Sequence, residues 1–103
     1  MEKIKKIQTL SRVTAIDNSA DTTAQYAISG EAETRAGALS AIHNGTVRDT
    51  AGNDLATFGY YGPQQMQVTF WKPDDDKAAI IAAIEAFTAA AAAADWNEDN
   101  LSD

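Results

Sequence analysis

The stretch FGYYGPQQMQVTFW, residues 58–71, constrains the fold more than any other, because it alternates with the two-residue period of a strand on both sides of a turn. Met66, Val68 and Phe70 fall on one face of the second arm, and Gln65, Gln67, Thr69 and Trp71 on the other. In the first arm Phe58 and Tyr60 share a face and Tyr61 is opposite, with Tyr-Gly-Pro-Gln at 61–64 supplying the turn. The expected pairing gathers Phe58, Tyr60, Met66, Val68 and Phe70 into a core beneath a helix. The opposite face keeps Tyr61 and Trp71 beside amides and a hydroxyl.

That helix is expected after Pro73. The segment KAAIIAAIEAFTAAAAAADW, residues 77–96, has high helix propensity, and Asp74 is placed to cap it, with Asp75 and Asp76 at the positive end of the helix dipole. Ile80, Ile84, Phe87 and Ala91 follow the spacing of a buried stripe, with Ile81 beside it. The second half offers only methyl groups.

Upstream, three polar clusters punctuate the chain: DNSAD at 17–21, TAGND at 50–54 and the 61–64 turn. A strand over about Ile7–Ile16 is suggested by its β-branched residues, although Ile7, Leu10, Val13 and Ile16 have a three-residue spacing. A second strand over about Thr22–Thr34 alternates more cleanly. It turns Tyr26, Ile28 and Ala32 inward and Gln25, Ser29, Glu31, Glu33 and Arg35 outward. Residues 35–45, RAGALSAIHNG, read equally as a short helix stopped at Asn44-Gly45 or as an irregular strand extension. Residues 46–61 form a hairpin across Ala51-Gly52-Asn53. The expected architecture is α+β: a mainly antiparallel sheet of four to five strands with the C-terminal helix packed on one face. Residues 1–94 make a single compact domain and 95–103 an acidic C-terminal tail.

Charge and composition then remove whole classes of function. A formal net charge of −7 argues against direct binding of nucleic acid, whose affinity rests on lysine and arginine. The charge is uneven: Lys3, Lys5, Lys6 and Arg12 lie near the start, whereas residues 74–103 carry eight acids against one lysine. With no cysteine there is no disulfide, thiolate metal site or cysteine nucleophile. Neither a signal-peptide apolar run nor a membrane span is legible, so the expectation is a cytoplasmic protein with no membrane partner.

The remaining constellations have plain explanations. Phosphate-cradling glycine motifs are absent, and no cofactor is expected. His43 could join Ser40 and Asp49, or Glu31 and Glu33, in acid–base or nucleophilic chemistry, but no nucleophile elbow accompanies it and period two makes the glutamates a solvated row. DWNEDN at 95–100 resembles the start of a calcium loop, yet its sixth position is Asn100 and no glutamate follows at the twelfth, so no metal is expected. Asp74–Asp76 are accounted for by helix capping. The sequence therefore assigns no catalytic residue. Its one candidate surface is Tyr61, Gln65, Gln67, Thr69 and Trp71, a mixture of rings and amides suited to a protein partner or to self-association as a homodimer. The expected function is a small non-enzymatic interaction or assembly protein. The alternative is an acidic decoy that occupies a basic, nucleic-acid-binding partner through Asp74–Asp76, Glu31, Glu33 and the tail.

Overall fold

The computed structural model describes residues 11–72 and 76–96. They form five strands and one helix: β1 (Arg12–Asp17), β2 (Ala27–Arg35), β3 (Ala38–Arg48), β4 (Asp54–Tyr60), β5 (Met66–Phe70) and α1 (Lys77–Ala93). The strands lie in chain order, each antiparallel to the next, and α1 packs against β3 and β2. This is the α+β arrangement expected from the sequence. The segment 7–10 of the expected first strand, the candidate cap Asp74 with Asp75, and the tail from Asn97 onward, including most of the calcium-like motif, lie outside the described residues.

Short-range chemistry fixes each connection. The β1–β2 loop is closed by Asn18, whose side chain donates to the Tyr26 carbonyl at 2.9 Å and accepts the Ile28 N–H at 2.9 Å. Asp21 Oδ1 accepts the Thr23 N–H and hydroxyl, so residues expected at the start of the second strand are used in a turn instead. Strand β2 consequently begins at Ala27. The β3–β4 turn is organised by Asp49, whose carboxylate accepts the N–H groups of Ala51 and Asn53 and the Asn53 amide.

Residues 35–45 resolve as strand, not helix. Ala36 and Gly37 both take positive φ, at 51° and 78°, making a two-residue hairpin turn that pairs Arg35 with Ala38. Strand β3 then carries two irregularities. The register with β2 passes from Thr34↔Leu39 to Glu33↔Ala41, leaving Ser40 as an extra residue. A second shift falls at Asn44-Gly45, where Glu31 pairs with His43 and Ser29 with Thr46. Asn44 there has φ 54°. The chemistry that suggested a helix stop serves a bulge.

These bulges keep the inner face apolar along a strand that does not alternate. Ile28 and Ala32 of β2, Ile42 and Val47 of β3, and Ala56, Phe58 and Tyr60 of β4 are buried on the side facing α1. A further shift in β4 makes Leu55 the extra residue opposite Val47 and Arg48, and Leu55 and Ala56 are both buried. Met66, Val68 and Phe70 are half-buried at the β5 edge, on the face expected for them. From the helix, Ile80 and Ile84 are almost wholly enclosed, each burial contributing about 1.5–3 kcal/mol. The rings of Phe58 and Phe87 meet edge-to-face at 6.3 Å, tying helix to sheet.

Both ends of α1 are closed. The N-cap is Asp76, whose side chain accepts the Ala79 N–H at 3.0 Å. At the other end Trp96, placed by the sequence in the acidic tail, folds back and is buried. Its indole Nε1 donates to the Ala91 carbonyl at 2.7 Å, satisfying one of the carbonyls a helix end leaves open.

Gly45 lets two layers of the core meet. A Cβ there would stand 2.5 Å from the Phe58 ring, and Phe58 is Gly45's partner across the β3–β4 ladder. Gly45→Ala is therefore expected to displace Phe58 and destabilise the protein by about 1–3 kcal/mol, the usual range for overpacking. Urea unfolding measures this; an unchanged midpoint would show that the two strands do not approach so closely.

Candidate functional site

The face of the sheet away from α1 is polar. Because directly paired residues point the same way, the register defines its rows. Ala15, Glu31 and His43 form one across β1–β3, continued on β4 and β5 by the pair Gly59 and Gln67. Asp17, Ser29, Thr46, Thr57 and Thr69 form a neighbouring row. Among the described residues no other element packs over this face.

Tyr61 stands out within it. Its backbone N–H donates to the Gln65 carbonyl at 2.9 Å, closing the β4–β5 turn. The side chain turns back across Gly59, where a Cβ would come within 3.2 Å of the ring and the hydroxyl oxygen. Gly59 thus provides the seat for the tyrosine. The ring also meets His43 edge-on, with centroids 5.8 Å apart and planes at 64°. Tyr61 remains 46% exposed, so the ring is positioned but not covered.

His43 is fixed in turn by Glu33. Its Nε2 lies 2.9 Å from Glu33 Oε1, and an ionised carboxylate only accepts, so that nitrogen carries a proton. Arg35 Nε donates to Glu33 Oε2 at 3.4 Å. Next to this pair the Asn44 side-chain amide donates to Glu31. The hydrogen bond from His43 is the main influence holding the Glu33 carboxyl below the ordinary glutamate range; partial burial opposes it, and Arg35 assists.

The structure brings together part of the predicted surface. Tyr61, Gln67 and Thr69 line a shallow depression of about 440 Å³ with Asn44, Thr46 and Thr57. Gln65 is exposed in the adjoining turn. Trp71 is 57% exposed just beyond the end of β5 and does not line the depression. It forms a second, separate aromatic patch.

The candidate catalytic sets separate in the same way. Glu33 and His43 do meet. Ser40 directs its hydroxyl to the Glu33 backbone carbonyl at 3.1 Å, and Asp49 is occupied by its own turn, so Ser40, His43 and Asp49 form no relay. The contact of His43 with Glu33 and Tyr61 was not legible as a unit in the sequence, because it joins two strands and the β4–β5 turn through the bulge at Asn44. No group of three or more metal-ligating side chains occurs among the described residues. No helix among them is long and apolar enough to cross a membrane. No family model, no curated protein and no solved structure significantly matches this chain.

Because the folded-state pKa of Glu33 is lowered, its contribution to stability is fully present above the ordinary glutamate value of about 4.3 and is lost as pH falls through the folded value. Glu33→Gln is expected to flatten the acid limb of stability against pH, the wild-type and variant curves converging toward pH 3. Urea midpoints measured from pH 3 to 7 test this; parallel curves would mean that the Glu33–His43 contact does not form in solution.

Proposed function

We propose that this protein is a small non-enzymatic interaction module that self-associates through the polar, aromatic face of its sheet. The observation that carries the reading is the mounting of Tyr61: the ring is seated on Gly59, braced by His43 and left half-exposed beside Gln67 and Thr69. A tyrosine held in one orientation loses little side-chain freedom on contact and presents apolar area with a polar tip, the properties that enrich this residue at interface centres. Trp71 adds a second exposed ring just beyond β5. Amides and threonine hydroxyls around them supply hydrogen bonds without the desolvation cost of charges.

The decoy reading finds less support. Glu31 and Glu33, which it would present to a basic partner, are each engaged by a neighbour on the sheet. A homodimer through this face is accordingly the preferred form.

The test is sedimentation velocity of the Tyr61→Ala/Trp71→Ala double variant against the wild type, with thermal unfolding to confirm that both are folded. The wild type is expected as a dimer at micromolar concentration. The variant should require at least 30-fold more protein to dimerise, the equivalent of a hot-spot loss of about 2 kcal/mol. A folded double variant that sediments like the wild type would refute the reading. Association that weakens steeply with salt and needs a basic protein would favour the decoy instead.

A further inference from the structure

The sheet has two edges, β1 and β5, and they are finished differently. Strand β1 carries Arg12 and Asp17, and its Val13 and Ala15 pair with Glu33 and Glu31 of β2, so charge surrounds that edge. Charge of this kind is a common guard against strand-to-strand association. Strand β5 has no such guard. No charged residue occurs between Asp54 and Lys72, the register with β4 is unbroken, and both prolines of the chain, Pro63 and Pro73, stand outside the strand. Lys77 is beside it, but its Nζ lies over the Phe70 ring, 5.5 Å from the centroid.

Hydrogen-bond parity shows what this edge presents. The Tyr61 N–H donates to the Gln65 carbonyl, and the Trp71 N–H donates to the Leu55 carbonyl. In an antiparallel ladder alternate residues turn both backbone groups toward the same neighbour. Residues 65, 67, 69 and 71 therefore address β4, and Met66, Val68 and Phe70 direct their N–H and C=O groups to the open side. Among the described residues no strand pairs with them there. The side chains of these three are half-buried against the core, which leaves an uncharged apolar rim beside a row of unpaired donors and acceptors.

We infer that this edge is where two copies join, β5 against β5, antiparallel about a two-fold axis at Val68. The inference rests on the self-association proposed above and gives it a register. Three observations select a second copy as the occupant. The first is self-complementarity: Val68 faces Val68, and Met66 faces Phe70 of the second copy, each pair exchanging both N–H···O bonds. On the inner side each apolar rim then covers the other, and on the outer side Gln67 lies opposite Thr69, amide to hydroxyl. The second is charge. Each copy carries a formal net charge of −7, and like charges set against each other weaken association, so two copies fit best where neither brings a charge. The third is the position of the aromatic patches. The same register sets the Trp71 backbone opposite Gln65 of the second copy, whose carbonyl holds the Tyr61 N–H. Trp71 of one chain and Tyr61 of the other are thus brought to the same end of the joint, although they form separate patches within one chain.

The chain has no cysteine of its own to interfere with cross-linking. Full-length Gln67→Cys and Thr69→Cys proteins, mixed under mild oxidation, are expected to cross-link at least tenfold faster than either alone, because only the unlike positions are opposed, about 5 Å apart at Cβ. Cross-linking as fast in a single variant as in the mixture would overturn the register. Val68→Pro removes the central N–H at a place where an edge strand tolerates proline. With its circular dichroism unchanged, this variant should need at least 30-fold more protein to dimerise. In the wild type, amide exchange at Met66, Val68 and Phe70 should slow at least tenfold as concentration rises through the dimerisation midpoint, a readout that stands even if the proline variant does not fold. Exchange equally slow at every concentration would overturn the inference in favour of a cover from the same chain. A wild type that stays monomeric would overturn the self-association itself, and this inference with it. A folded Val68→Pro protein that dimerises like the wild type, while Tyr61→Ala/Trp71→Ala does not, would keep the self-association and remove the β5 edge from it.

Discussion

The bulge at Asn44-Gly45 is the constraint on which both faces of the sheet depend. Asn44 takes a positive φ, and the extra residue reverses the parity of β3 at that point. Above it Val47 and Gly45 face the core. Below it Ile42 does, while His43 turns outward beside Glu31 and Glu33. Without that extra residue, the alternation that buries Val47 would carry His43 inward and Ile42 outward. Gly45 then admits Phe58, which reaches Phe87 of the helix. The same few atoms decide where the helix sits and where the histidine points.

From this follows a division of labour between the two sides of one sheet. The inner side is anchored by Ile80 and Ile84 against Ile28, Ala32, Ile42 and Val47, a conventional helix-on-sheet core. The outer side has no such layer among the described residues and is organised by polar contacts: Glu33 holds His43, His43 braces Tyr61, and Gly59 seats it. Each link limits the freedom of the next side chain, which is how an exposed aromatic acquires a defined orientation. The two glycines have opposite roles. Gly45 brings strands together on the buried side, and Gly59 makes room on the exposed side.

Much of this was legible where the two-residue period is unbroken. Residues 66–71 alternate cleanly, so the inward set Met66, Val68 and Phe70 and the outward set Gln67 and Thr69 could be read directly. Legibility failed where bulges intervene. Leu39 and Ile42 are three apart and both face inward because Ser40 is an extra residue, and that spacing is indistinguishable from one helical turn. Val13 and Ile16, also three apart, fall on opposite faces of β1, since no bulge separates them; Val13 is the one exposed. Three consecutive aspartates advertise a helix start, but only the backbone selects Asp76 as the cap. Trp96 follows an alanine run and enters an acidic stretch, so composition places it in solvent; its indole hydrogen bond to Ala91 is a tertiary contact that no local pattern reveals. The Glu33–His43–Tyr61 contact unites residues from two strands and a turn and is likewise a property of register.

The most direct test of this account is a nuclear Overhauser measurement at the β3 bulge. The Gly45 α-protons should lie against the Phe58 ring, shifted upfield by its ring current, while the His43 ring protons show contacts to Tyr61 and none to Ile80 or Ile84. Contacts from His43 to those two isoleucines, with Gly45 far from Phe58, would mean that β3 runs without the bulge. The polar site and the core described here would then both be wrong.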